Sequence, residues 1–356
     1  MSEVILVINP GSTSTKIGAF KGTDEIFQEA VYHPLHELRA CESVYDQLGL
    51  RMETVQGILR NHMFSIASVD FIMARGGALR PIHGGVWRIT REMLEDLKSA
   101  RYGDHASSLG ALIAWELAAS VPDMKMGVAD PPVVDEMDDV ARITGHPDFV
   151  RKSRLHTLNQ KAVAYQASTD LGISYSEARL VVAHLGGGIS VGTHRDGRIV
   201  DVNDAYDGEG PFSPERSGTL PAGQLAEICF SGTWSADEIK RKMVGEGGVS
   251  AYLGTNDLKE VENLCVSGDE QAILVLDAMI YQIAKEIGAA ATVLSGILDA
   301  VVITGSIAQS DYIISRLIKR VAFIGKLLVY PGENEMTALR DAALRVLSAK
   351  EKISTY

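Results

Sequence analysis

Leu180-Val181-Val182-Ala183-His184-Leu185-Gly186-Gly187-Gly188-Ile189-Ser190-Val191-Gly192-Thr193 is the stretch whose reading decides the fold. Leu180–Ala183 is a continuous apolar run, the pattern of a buried strand. His184–Gly188 reads as a glycine-rich turn and Ile189–Thr193 as the returning strand. Asp196-Gly197 then opens a further hairpin into a third strand, Arg198–Asp201. The chain begins with the same layout: the apolar run Val4–Ile8, the hydroxyl-rich turn Asn9–Thr15, and the strand Lys16–Phe20. Two halves that each open strand–turn–strand point to an internal structural repeat.

Working outward, short apolar strands are expected at Phe71–Met73, Met126–Val128 and Val301–Ile303, interleaved with helices. Leu109, Leu112, Ile113 and Leu117 share one helical face, as do Ile273, Leu276, Ile280, Ile283 and Ile287. Met336, Leu339, Ala343 and Leu347 predict a closing helix after Pro331-Gly332. The pattern is that of an α/β protein with mixed sheets. At 356 residues the chain is long enough for two domains. The irregular segment Val202–Pro221, rich in glycine, proline and charge, reads as an active-site loop.

The net charge of −12 disfavours nucleic acid and acidic membranes as partners. It also opposes an anionic substrate, so an anion site must carry local positive groups. Three widely spaced cysteines give no disulfide framework or zinc motif. No apolar run reaches membrane-spanning length, and the N-terminus lacks the pattern of a leader, so a cytoplasmic protein is expected.

Glycines let backbone N–H groups converge on an anion, and hydroxyls add donors, so both polar turns suit phosphate. Each alone is more simply a plain hairpin. Neither a Walker-type loop nor a dinucleotide fingerprint occurs. The turn Gly305-Ser306-Ile307-Ala308 follows a strand, where a flat adenine ring can approach the backbone; tight strand-to-helix packing explains it equally well. Arg75, at a strand end before Gly76-Gly77, and Arg216, within the irregular loop, carry planar forks matched to phosphate or carboxylate. Ordinarily such arginines are solvated. Asp130 precedes Pro131-Pro132 and is held by a stiff turn; His156 lies in a polar run; His105 suits a helix cap; Glu335 heads the last helix. Together these make the inventory of phosphoryl transfer, in which positioning and charge neutralisation do most of the catalysis.

These residues resemble the acetate and butyrate kinase family, within the superfamily that includes actin and sugar kinases. The likeness runs from Val7–Lys16 to Pro331–Met336 and is most specific at Arg151–Ala162, Ala183–Ser190 and Pro214–Gly218. In these stretches it leans toward butyrate kinases, because acetate kinases typically carry Asn where Gly187 stands and a second His where Gln160 stands. The resemblance implies two duplicated ribonuclease-H-like, actin-like ATPase domains with an interdomain cleft. An acyl-substrate-side domain is expected over 1–150, with the segment 336–356 packing on it, and a nucleotide-binding domain over 151–335.

It also implies roles. Arg75, Asp130, His156 and Arg216 are expected to be catalytic. Asn9, Ser12, Ser14, Lys16, His184, Gly186, Gly187, Gly188, Asp257, Lys259, Gly305, Ser306, Ile307 and Ala308 are expected to bind nucleotide. His105 is expected on the substrate side, and Asp130 and Glu335 at the metal. ATP or ADP with Mg²⁺, a short-chain carboxylate, reversible transfer giving an acyl phosphate, and a homo-oligomer follow from the same likeness. Butyrate leads, ahead of acetate, propionate or branched acids. A nucleotide-sensing or assembly protein of the superfamily, without transferase activity, is the alternative of another class. A sugar kinase is the nearest enzymatic rival, though no aspartate base stands in a sugar-kinase context. One departure is Ser306, where butyrate kinases usually have glycine; it is expected to tune nucleotide affinity, with strain if its φ is positive.

Overall fold

The computed structural model describes residues 3–356. The chain divides into two units: one runs up to Val134 and resumes at Asn334–Tyr356, the other is Asp135–Glu333. Residues 135–150, grouped with the first half in the sequence reading, therefore lie in the second unit.

In the first unit, β1 (Val4–Pro10), β2 (Ser14–Lys21) and β3 (Asp24–Tyr32) form an antiparallel meander. β4 (Phe71–Arg75) lies parallel to β1, and β6 (Lys125–Ala129) parallel to β4. β5 (Val86–Arg88) pairs antiparallel with β6, and the short strand Ser354–Thr355 adds on its far side. Leu6, Ile8, Ile72, Ala74 and Val128 from the central strands are buried with Leu112 and Ile113 of the helix Leu109–Ala118. The closing helix Glu335–Leu347 packs on β1 and β4 through Leu339, Ala342 and Ala343.

The second unit repeats the plan. β7 (Leu180–Leu185), β8 (Ile189–Arg195) and β9 (Arg198–Val202) form the meander; β10 (Ala300–Gly305) lies parallel to β7, and β11 (Leu327–Pro331) parallel to β10. The order β11-β10-β7-β8-β9 thus matches β6-β4-β1-β2-β3 in both sequence and direction. Even the irregularity between second and third strands recurs, at Ala19/Phe20 and at Thr193/His194. The duplication read from two turns is a duplication of whole sheets. The helix Glu270–Val293, capped by Asp269 accepting from the Ala272 amide at 2.8 Å, buries Leu276, Ile280, Ile283 and Ile287 against this sheet. Among the described residues no helix is long and apolar enough to cross a membrane.

One local expectation needs correction. His184 and Leu185 belong to β7, in register with Ser190 and Ile189, so the turn is only Gly186–Gly188.

Candidate active site

In the first unit, Asn9, Arg75 and Asp130 stand at or just beyond the carboxyl ends of three adjacent parallel strands, β1, β4 and β6, where α/β sheets place their ligands. The Arg75 guanidinium contacts both Glu335 carboxylate oxygens, at 2.8 and 3.0 Å, and Asn9 Nδ2 donates to Glu335 at 2.8 Å. Glu335 starts its helix as expected, and its carboxylate is held by a charge as well as by the helix end.

Asp130 is 3 % exposed and has φ 39°, the left-handed region that aspartate enters more readily than most residues. Its Oδ1 accepts from the Gly85 amide at 2.7 Å and its own amide donates to Gly85 O at 3.1 Å, so one residue holds both the carboxylate and the backbone that carries it. His105 Nδ1 accepts from the Ser107 amide at 3.2 Å, a cap as anticipated. Burial, then the charge of Arg75, holds its pKa below the ordinary value and favours the neutral ring.

The first hairpin tip, Gly11–Ser14, is supported by a residue the sequence did not single out. Arg51, on the helix Leu48–Asn61, is fully buried, and its guanidinium donates to Ser14 O at 2.9 Å, Thr15 Oγ1 at 3.1 Å, Ser12 O at 3.2 Å and Gln47 Oε1 at 2.9 Å. All these acceptors are uncharged, so a full positive charge lies behind a turn expected to meet phosphate. This is the kind of local cation that a chain of net charge −12 requires. Lys16 and Ser12 remain accessible to solvent at the front.

In the second unit His184 is 1 % exposed beneath the glycine turn and stacks on His156, with ring centroids 3.8 Å apart. Asn159 Nδ2 donates to Glu333 O at 3.0 Å, so its Oδ1, 2.7 Å from His184 Nδ1, must accept. That assigns the proton of neutral His184 to Nδ1 and leaves Nε2 a buried acceptor without a hydrogen-bond partner. Burial, then His156 in its protonated form and the charge of Arg216, pushes the His184 pKa well below its ordinary value.

The Arg216 guanidinium lies directly on Gly188: a Cβ there would come within 2.4 Å of Nη1. Nη1 donates to Ala205 O at 2.6 Å, while Nε is buried and has no hydrogen-bond partner. Ser213 Oγ donates to Gly187 O at 2.5 Å, tying the irregular loop to the turn.

Next to this turn is a cavity of about 810 Å³ lined by Gly186, Gly187, Asp257, Lys259, Ser306 and Ile307, six of the expected nucleotide residues. Gly188, Gly305, Ala308 and His184 do not line it. Asp257 caps the helix Leu258–Ser267, accepting from the Lys259 amide at 2.9 Å. The sequence reading missed Glu215, Asn256 and Tyr312 on the same wall. Position within the irregular loop was a signal for Glu215, but for the other two there was none. Ser306 does not take a positive φ; Gly305 before it does, at 94°, so the anticipated strain at Ser306 is absent.

Burial carries a pH signature. His194 is fully buried and its pKa is lowered to about 3, by burial and then by Lys161. The unfolded chain, with histidine near 6.5, binds protons that the native His184 and His194 refuse. Stability therefore rises with pH across this window, is fully present above about 6.5, and is lost as pH falls toward the folded values. Thermal midpoints should drop steadily from pH 7 to pH 5, with a shallower slope in His194→Gln; equal slopes would contradict the assignment.

The chain matches the Acetokinase family over residues 144–350. It is 46% identical over its whole length, and over the whole of the other chain, to Butyrate kinase 2 of Clostridium acetobutylicum. Among solved structures it is similar to Porphyromonas gingivalis acetate kinase, with TM-score 0.77 at 19% identity, covering 97% of this chain and 100% of that one. It is also similar to a propionate kinase from Francisella tularensis, with TM-score 0.69 at 20% identity, covering 96% and 98%.

Proposed function

The chain belongs to the acetokinase family, and from that premise we propose that it moves the γ-phosphoryl group of ATP onto the carboxylate of a short-chain aliphatic acid, butyrate foremost. The observation that carries the reading is Arg216. A guanidinium pressed onto a glycine turn, with one N–H buried and unmatched, is costly unless an acceptor completes it, and a phosphoryl oxygen is the acceptor we assign.

The acid is already ionised near neutral pH, so no strong base is needed. A carboxylate oxygen attacks the γ-phosphorus in line, the bond to the β–γ bridging oxygen breaks, and the products are the acyl phosphate and ADP. Arg75 and Arg216 neutralise charge on the transferring group, and His156 donates a hydrogen bond to it. Asn9, Ser12, Ser14 and Lys16, with Gly186–Gly188, hold phosphates; Asp257, Lys259, Ser306 and Ile307 flank the nucleoside, with Gly305 and Ala308 behind them; Asp130 and His105 orient the acid. Hard carboxylate oxygens suit Mg²⁺, which takes few protein ligands besides phosphate and water, and Asp130 and Glu335 are the groups we assign to it. The chemistry such an ion would supply there is to offset the negative charge of the phosphate oxygens.

ATP-dependent acyl-hydroxamate formation across C2–C5 acids tests the proposal. Signal with several acids and the highest kcat/KM for butyrate is expected. Each methylene changes discrimination by only ~1–3 kcal/mol, so a graded profile should appear. ATP binding with no hydroxamate from any acid would overturn it in favour of a nucleotide sensor.

A further inference from the structure

We propose that Gln160, braced by His194 and Tyr175, is a positioning residue that acts through Ser190 to fix the tautomer of His156, so that Nε2 of the neutral ring always carries the proton. The inference deepens the proposed function and rests on the role given there to His156.

The direction of every hydrogen bond in this chain of groups follows from one fixed point. Gln160 is fully buried on the helix Thr157–Leu171, and its Nε2 lies 3.1 Å from the backbone carbonyl of Ser190, which can only accept. The amide is thereby oriented. Its second N–H donates to Ser190 Oγ at 2.8 Å, and its Oε1 must accept. The group facing Oε1 is His194 Nε2, at 3.1 Å, which therefore carries the His194 proton. His194 Nδ1 is then a bare acceptor for the Tyr175 hydroxyl at 2.9 Å.

The far end is set by where the Ser190 hydroxyl sends its hydrogen. Ser190 Oγ receives from Gln160, so its own hydrogen is available for His156 Nδ1, 3.1 Å away. A neutral His156 that accepts at Nδ1 has its proton on Nε2. The opposite tautomer would make Ser190 Oγ accept twice and take from its own hydrogen the acceptor it has in His156, and would turn a lone pair toward phosphoryl oxygens.

Two further features belong to the arrangement. Gly192 on β8 leaves room for the amide, since a Cβ there would sit 2.3 Å from Gln160 Oε1. The stacked partner, His184, is assigned the other tautomer by Asn159, so the two rings present a donor and an acceptor side by side. Because the donor at Nε2 exists in the neutral ring, His156 need not become an imidazolium to contact the phosphoryl group.

The test is histidine-selective ¹⁵N labelling of the ligand-free full chain, with two-bond ¹H–¹⁵N correlation and the nine histidines assigned by substitution. His156 and His194 should show the Nε2–H pattern and His184 the Nδ1–H pattern. Ser190→Ala should turn His156 into a tautomer mixture and lower kcat on the order of tenfold, the weight of about one neutral hydrogen bond, with KM for ATP unchanged. Ser190→Thr keeps the hydroxyl and should restore both. Gln160→Leu, if it folds, should behave as Ser190→Ala; Ser190→Ala, which removes one oxygen, decides the matter if it does not. An Nδ1–H pattern for His156 in the wild type, or a Ser190→Ala variant with unaltered spectrum and kcat, would overturn the inference. The spectrum is read without substrate, so a failure of the acid panel and a failure of the tautomer assignment are separate results.

Discussion

Arg75→Ala and Arg216→Ala are each expected to lower turnover by about 10³–10⁵, the range found when an arginine at a transferring phosphoryl is removed. ADP affinity should change little, because the cavity beside Gly186 is lined by other side chains. The two variants fail for different reasons. Removing Arg75 also leaves Glu335 with Asn9 but without its counter-charge, so a carboxylate assigned to the metal is no longer neutralised and is held less firmly. Removing Arg216 opens the space over Gly188 and unfastens Ala205, whose carbonyl it holds. Lysine restores charge but not the planar fork, so Arg75→Lys and Arg216→Lys should recover only part of the loss. Initial rates with butyrate, beside calorimetric ADP affinities, measure both quantities. Full activity in both alanine variants would show that the transfer centre lies elsewhere.

The second large effect is expected at Gly305. Its φ of 94° with ψ 176° lies in a region essentially confined to glycine, and a Cβ there would meet Leu185 O at 2.2 Å. The obstacle is the backbone of β7, which cannot move without dismantling its parallel pairing with β10. Gly305 also exchanges backbone hydrogen bonds with Gly332, at 3.2 and 2.9 Å. Gly305→Ala should therefore cost more than about 4 kcal/mol, by combined backbone strain and overpacking. Denaturant titration of the purified variant reads the loss, and a midpoint within error of wild type would refute this account of the turn.

The parts legible in the sequence were those encoded by short-range pattern. Apolar runs broken by glycine or hydroxyl turns gave β1, β2, β7, β8 and β10, and the three- and four-residue spacing of Ile273 to Ile287 gave the long helix. Two similar turns were enough to expose the duplication, because the repeat begins at those strands. What failed was information held in pairing. His184 read as a turn residue because histidine is polar, yet its ring is buried by the stack on His156 and the bond to Asn159. β3 alternates weakly at a sheet edge, and β5 is only three residues long, so neither carries much signal. The left-handed backbone of Asp130 leaves no trace in composition. Gln160 lies on the helix Thr157–Leu171, Tyr175 in the turn after it, and Ser190 and His194 on β8, so only folding brings their polar atoms together.

Arg51 was invisible for the same reason, since an arginine in a mixed helix reads as solvated, and its burial has a consequence for how the protein tolerates its surroundings. Mobile ions weaken the attraction between exposed charges over about 8–10 Å at physiological salt, but they cannot enter the space around a buried guanidinium. A phosphate drawn by Lys16 alone would lose its hold as ionic strength rises. One drawn also by the cation behind Ser12 and Ser14 should keep more of it, so the phosphate contact proposed at this turn is expected to be less sensitive to salt than an exposed lysine alone would make it.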